Sequence, residues 1–178
     1  MKIRTAVLQD AKGIARVHVD SWRSTYKGII PDEFLEQLSY DSREKLWNSA
    51  ISNGNIFVAE NETGDIVGFS TGGKERSGNY DDYEGELYAI YLLKEYQGKG
   101  LGKKLVTPVV DLLKNEKINT MVVLVLEENS SCLFYEAVGA RKIETIEIEM
   151  AGKKLKEVVY GWDDLQTVFH LKATKGGY

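Results

Sequence analysis

Gln97-Gly98-Lys99-Gly100-Leu101-Gly102 carries the most specific chemical signal in the chain. The segment follows a β-rich run, Glu84 to Leu93, and opens a helical pattern in which Leu101, Leu105, Val109, Leu112 and Leu113 recur on one face. A strand-to-helix turn presents unpaired backbone amides and the positive end of the helix dipole to an anion. Glycines let a phosphate approach successive amides and supply positive φ where the turn needs it. The bland alternative is a glycine-rich turn that only caps the helix. The spacing is neither GxGxxG nor GxxxxGK[ST], so neither a dinucleotide Rossmann fingerprint nor a P-loop is supported.

The elements that must position this segment follow from hydrophobic period. Lys2 to Val7 predicts a short strand, and Asp10 is placed to cap an amphipathic helix from about Ala11 to Tyr26. Pro31 suits the first turn of a second helix, and Asp41 to Ile51 predicts a third. Asn55 to Glu60 and Ile66 to Thr71 form a hairpin across NETGD, and Lys74 to Asp82 reads as an exposed loop. The helix from about Gly100 to Glu116 contains Pro108, which predicts a kink. Met121 to Leu126 is an unbroken aliphatic run, as in a strand covered on both faces and paired in parallel, which implies a right-handed crossover. A short helix, Ser130 to Val138, precedes the strands Lys142 to Met150 and Leu155 to Trp162. Residues 1–164 read as one domain and residues 165–178 as a weakly patterned tail with a mobile KGGY end.

Composition narrows the function classes. With 178 residues, 43% hydrophobic and 28% charged, the chain supports one packed core and one site. A formal net charge of -4 supplies no cationic field for nucleic acid or anionic lipid, so neither is an expected partner. Cys132 is the lone cysteine, and no Cys/His cluster has metal-ligand spacing, so no metal is expected. Met121 to Leu126, the longest apolar run, is far too short for a bilayer, and MKIRTAVLQD lacks a secretory core. The expected location is the reducing cytoplasm.

Gln97, Gly100 and Gly102 match the Q/R-x-x-G-x-G/A phosphate signature of the GCN5-related N-acetyltransferase (GNAT) superfamily, which the chain resembles. ELYAIYLLKEY before the signature and EENSSCLFYEAVGA after it resemble that family's fourth strand and its next strand-to-helix segment. The resemblance implies an α/β fold with a mixed central sheet of about seven strands, flanking helices and a splayed parallel pair of central strands. It implies that the amides of Gly98, Lys99, Gly100, Leu101, Gly102 and Lys103 hold the pyrophosphate of acetyl-CoA, that Gln97 belongs to the same cofactor-binding signature, that Ile90, Tyr91 and Leu92 line the pantetheine arm, and that Asn129 is a further cofactor contact. Lys94 stands where many relatives have proline and Ala140 where many have an aromatic. Asn129 precedes Tyr135 by six residues where relatives commonly have seven.

Direct transfer of acetyl to an amine needs a neutral nucleophile, a stabilised oxyanion and a proton for the departing thiolate. The resemblance puts Tyr135 in the place of the acid, against the alternative of a core aromatic. Glu84, Glu86 and Tyr88 share a strand face by alternation, and Glu86 is the candidate base, with a purely electrostatic role or proton loss to water as alternatives. Trp22, Tyr26 and Trp47 could wall an acceptor pocket or pack in the core, while His18 and Cys132 read as packed groups. The implied acceptor is an amine of a small molecule or peptide, with a homodimer allowed. The rival readings are a non-catalytic acyl-CoA-binding or sensor module and a mononucleotide-binding regulatory domain.

Overall fold

The computed structural model describes residues 1–168. β1 (Lys2–Thr5) leads through a 3-10 turn, Leu8–Asp10, into α1 (Ala11–Thr25), followed by α2 (Asp32–Glu36) and α3 (Tyr40–Ile51). β2 (Ile56–Glu60), β3 (Ile66–Lys74) and β4 (Gly85–Leu92) form an antiparallel run. A second 3-10 turn, Lys94–Tyr96, joins β4 to α4 (Leu101–Asn115), and β5 (Met121–Leu126), α5 (Cys132–Ala137), β6 (Arg141–Met150) and β7 (Lys153–Trp162) complete the order. The sheet runs β1-β2-β3-β4-β5-β7-β6. The expected mixed seven-stranded sheet with a parallel central pair is therefore present, β4 and β5 being the parallel pair.

Successive residues of β3 point to opposite layers, as strand geometry requires. Phe69 meets Trp47 of α3 and His18 of α1, whereas a Cβ on Gly68 would strike Leu105 of α4. Helices α1 and α3 thus cover one face and α4 the other. On its own face α4 buries Leu101, Leu105, Val109 and Leu113, and Pro108 does not divide it: the helix is continuous from Leu101 to Asn115. The Ser70 hydroxyl donates to the Leu105 carbonyl (2.7 Å) and ties α4 to β3.

Two expectations need correction. Asp10 does not cap α1. Its carboxylate accepts from Val7 N (2.8 Å) and pairs with Arg4 (2.6 Å), because the 3-10 turn places it before the helix rather than over its first amides. The boundary at residue 164 also fails as a packing boundary: Leu165 and Val168 are buried in the core against the α4 face, and Leu165 N donates to Asn119 O (2.7 Å). The KGGY end lies outside the described residues.

His18 is a titratable group buried at the α1 interface with the sheet. It is buried, stacks on Tyr91 of β4 (5.5 Å between ring centres, 11° between planes) and accepts from Trp47 Nε1 through Nδ1 (3.2 Å). Burial, aided by Arg43, pushes its pKa down from 6.5 to about 4. The unfolded chain therefore binds a proton that the folded chain refuses between those values. The stabilisation is complete above pH 6.5 and is lost as pH falls toward 4. At about 1.4 kcal/mol per unit the loss is at most about 3.5 kcal/mol. Thermal unfolding should show Tm declining across this window, and His18→Gln, which keeps an acceptor for Trp47, should flatten that decline. A wild-type Tm unchanged down to pH 4 would contradict the assignment.

Candidate active site

β4 and β5 pair in parallel only at Gly85↔Met121 and Glu86↔Val122. Beyond those positions the strands diverge, although β4 remains paired to β3 and β5 to β7. Part of the cause lies in β4: Thr71 faces Ala89 and Gly72 faces Leu87, so Tyr88 is an extra residue, a bulge that bends its strand and leaves the extra position without a ladder partner. The gap opens into a cavity of about 340 Å³, walled by Tyr88 to Leu92 on β4 and Val123 to Val125 on β5.

The glycine turn closes one end of this cavity. Gly98 (φ +69°) and Gly100 (φ +76°) both hold the left-handed conformation that a side chain resists, which is the local reason for glycine there. Gly100 is the N-cap residue of α4 and, among the described residues, no side chain caps this helix. A Cβ at Gly102 would lie 3.0 Å from the Phe134 ring, so the third glycine lets α5 close on α4. Gln97 faces back, its Nε2 donating to Leu92 O (3.1 Å) and fastening the turn to the end of β4. Lys99 lies over the Tyr96 ring (5.6 Å). The arrangement suits an anionic head at the α4 N-terminus with an extended arm between the splayed strands.

Of the residues singled out from sequence, Ile90, Tyr91, Leu92, Gln97, Gly98, Gly100, Gly102, Asn129 and Tyr135 line this one cavity. Lys99, Leu101 and Lys103 do not line it, and Leu101 buries its side chain in the core. Tyr135 is buried on α5, edge-on to Trp162 (6.2 Å between ring centres). Burial foremost, then the nearby Tyr91, raises its hydroxyl above the ordinary 10.0, while Ser131 pulls it back. Asn129 Oδ1 accepts from Ser131 N (2.9 Å) and Nδ2 donates to the Tyr26 hydroxyl (3.5 Å), so in this shortened turn the amide braces the approach to α5. Burial also raises Tyr26 and Tyr91. All three tyrosines are protonated at neutral pH.

Glu86 requires a correction. Alternation puts this candidate base on one strand face with Tyr88, yet Tyr88 lines the cavity and Glu86 does not. Its carboxylate is taken by Arg76 from the loop 75–84: Nη2 to Oε1 is 2.6 Å, Nε to Oε2 is 3.1 Å, and the Arg76 backbone N also donates to Oε2 (3.1 Å). The same guanidinium lies 3.8 Å from the centre of the Tyr88 ring. The paired carboxylate holds the Arg76 pKa above its ordinary value.

Sequence reasoning overlooked Tyr88, Ser21, Thr25 and Phe134 in the cavity wall. The position of Tyr88 beside Glu86 was visible, but its bulge was not. Tyr26 lines the cavity, as one reading of it allowed, whereas Trp47 is buried in the core between α1, α3 and β3 and Trp22 packs with Phe34 and Tyr26. Among the described residues Trp22 Nε1 is buried without a hydrogen-bond partner, although the Tyr91 hydroxyl is its neighbour. Cys132 is half-buried, its thiol pushed up by burial. Among the described residues no group of three metal-ligating side chains occurs, and no helix is long and apolar enough to cross a membrane.

Residues 17–140 match the Acetyltransferase (GNAT) family. The chain is 43% identical over 166 residues to an uncharacterised N-acetyltransferase, YuaI, of Bacillus subtilis, covering 93% of this chain and 95% of that protein. It is 28% identical over 136 residues to a spermidine N(1)-acetyltransferase of Thermoplasma acidophilum, covering 73% and 81%. In fold it is similar to the PaiA N-acetyltransferase of Thermoplasma acidophilum solved with coenzyme A, with TM-score 0.68, 23% identity and coverage of 88% and 96%. The signature turn, the splayed strands and these matches together establish that the chain belongs to the GNAT family of acetyltransferases.

Proposed function

We propose that this protein is a cytoplasmic enzyme that transfers the acetyl group of acetyl-CoA directly to a primary amine, and that Tyr135 protonates the departing thiolate. The observation that carries the reading is that the phosphate turn and the Tyr135 helix open onto one cavity between two strands with free backbone edges. Backbone groups of β4 beyond Glu86 would pair with the pantetheine arm, and the first amides of α4 would hold the pyrophosphate. A backbone N–H at the Tyr88 bulge is the candidate donor to the thioester oxygen as charge develops on it. Tyr135, protonated because its pKa is raised, enters the reaction able to donate. Glu86 is proposed to receive the amine's proton through water, since its carboxylate stands outside the cavity wall. The single unpaired thiol, Cys132, agrees with a reducing compartment.

The cofactor assignment is tested by thermal unfolding. Acetyl-CoA at a hundredfold excess over its Kd should stabilise the fold by about 2.7 kcal/mol, and NAD should not. Gly100→Val, which forces a β-branched residue into positive φ at a cost of about 1–3 kcal/mol, should leave a folded protein that has lost the acetyl-CoA shift. An equal shift with NAD would contradict the assignment.

Release of free thiol from acetyl-CoA, followed against a panel of amines, tests the chemistry. Tyr135→Phe keeps the ring and removes the donor, so kcat should fall about a hundredfold with acetyl-CoA binding retained. Because the Tyr135 pKa lies above 10.0, its protonated form persists through neutral pH, and any loss of kcat from its ionisation should appear only above pH 10. Glu86→Gln should reduce turnover most at low pH, with partial recovery as pH rises and the amine deprotonates unaided. Full activity in Tyr135→Phe would remove the acid, and a change confined to KM in Glu86→Gln would leave that carboxylate an attractor only. Binding of acetyl-CoA without turnover of any amine would favour the sensor reading.

A further inference from the structure

The Arg76 guanidinium sits in a slot whose two walls are a buried carboxylate, Glu86, and an aromatic face, Tyr88. Such a slot selects cations: the carboxylate supplies charge and hydrogen-bond acceptors, and the ring supplies its negative face. Tyr88 also lines the cavity that contains Tyr135, so the slot adjoins the reaction space. Its occupant is weakly committed. The Arg76 side chain is 60% exposed against 11% for Glu86, so water screens the guanidinium's side of the pair and can receive it when it leaves. Its loop has other anchors as well. Arg76 N still donates to Glu86 Oε2 and Glu75 N to Glu84 O (2.8 Å), so the guanidinium can leave while the backbone stays.

An amine acceptor is cationic before it reacts, and the slot offers what an alkylammonium needs. Asp81, Asp82 and Glu84, near the same strand, add to the negative field around it. Resting on the acetyltransferase reading above, we propose that Arg76 is a place-holder: its guanidinium occupies the seat of the acceptor's second, non-reacting ammonium between Tyr88 and Glu86 and is displaced when an aliphatic diamine or polyamine binds. The exchange is cation for cation, so the buried Glu86 carboxylate is never left unpaired, a state that carries a heavy penalty. Neutral arylamines have no charge to offer in the exchange and gain nothing from it.

The experiment removes the place-holder. In Arg76→Ala, KM for 1,4-diaminobutane should fall about fivefold, the scale of a half-exposed ion pair reinforced by a cation–π contact, while KM for an arylamine stays unchanged. Arg76→Lys keeps the charge but loses the planar two-point grip, so it should show a smaller fall, and it serves if the alanine variant does not fold. Calorimetric binding of 1,4-diaminobutane to the CoA-bound protein reads the same exchange without chemistry. The gain from Arg76→Ala should appear there and should vanish in a Glu86→Gln background. Tighter binding in Arg76→Ala without turnover would sink the acetyl-transfer reading and leave the place-holder standing. The place-holder is overturned if diamine KM and affinity are unchanged or weakened in Arg76→Ala, if diamine and arylamine shift alike, if the gain survives Glu86→Gln, or if wild type and variant alike fail to bind the diamine.

Discussion

The central constraint on this molecule is the early parting of β4 from β5. Two paired positions, Gly85↔Met121 and Glu86↔Val122, hold the sheet together at its centre, after which each strand keeps one satisfied edge and one open edge. Open strand edges are normally avoided or covered, because their backbone groups seek partners. Here the other elements keep the gap from collapsing: the Tyr88 bulge bends β4 away, α1 supports it through the His18–Tyr91 stack, and β7 pairs with β5 along its length. The two strand edges become the walls of a cleft with the positive end of α4 at one side.

The electrostatics of the cleft follow from burial. Tyr26 and Tyr135 are buried and Tyr91 is partly so, which disfavours their phenolate forms, so the site carries hydroxyl donors and no negative charge of its own at neutral pH. The negative charge nearest the bulge, Glu86, is held outside the cavity and neutralised by Arg76. A cleft lined by hydroxyls and backbone amides, with carboxylates kept beyond the wall, can accept an anionic cofactor without like-charge repulsion.

Much of the fold was legible in the sequence because its strongest elements are strongly periodic. The α4 stripe from Leu101 to Leu113 and the aliphatic run Met121 to Leu126 fell where expected, with the glycine turn between strand and helix. What escaped depends on contacts between distant segments. Nothing local to Glu86 reveals that a loop arginine ten residues earlier will claim it, nor that one additional residue opposite Thr71 and Gly72 shifts the parity of β4. The Asn129–Tyr26 contact joins positions 103 residues apart. Leu165 and Val168 lacked a pattern because they complete a core built by other elements rather than a face of their own.

The strand order has a consequence for how the chain acquires its cleft during synthesis. β1 to β4 are neighbours in sequence as well as in the sheet, apart from the helices that pack on them, so that half can assemble as it emerges. β5 cannot be secured in the same way. Its only earlier partner is the two-position contact with β4, and its full-length partner β7 is made after both α5 and β6, then slots between β5 and β6. Until Trp162 has left the ribosome, one wall of the cleft stands without its main hydrogen-bonded support, so the cofactor space takes shape only after β7 is made.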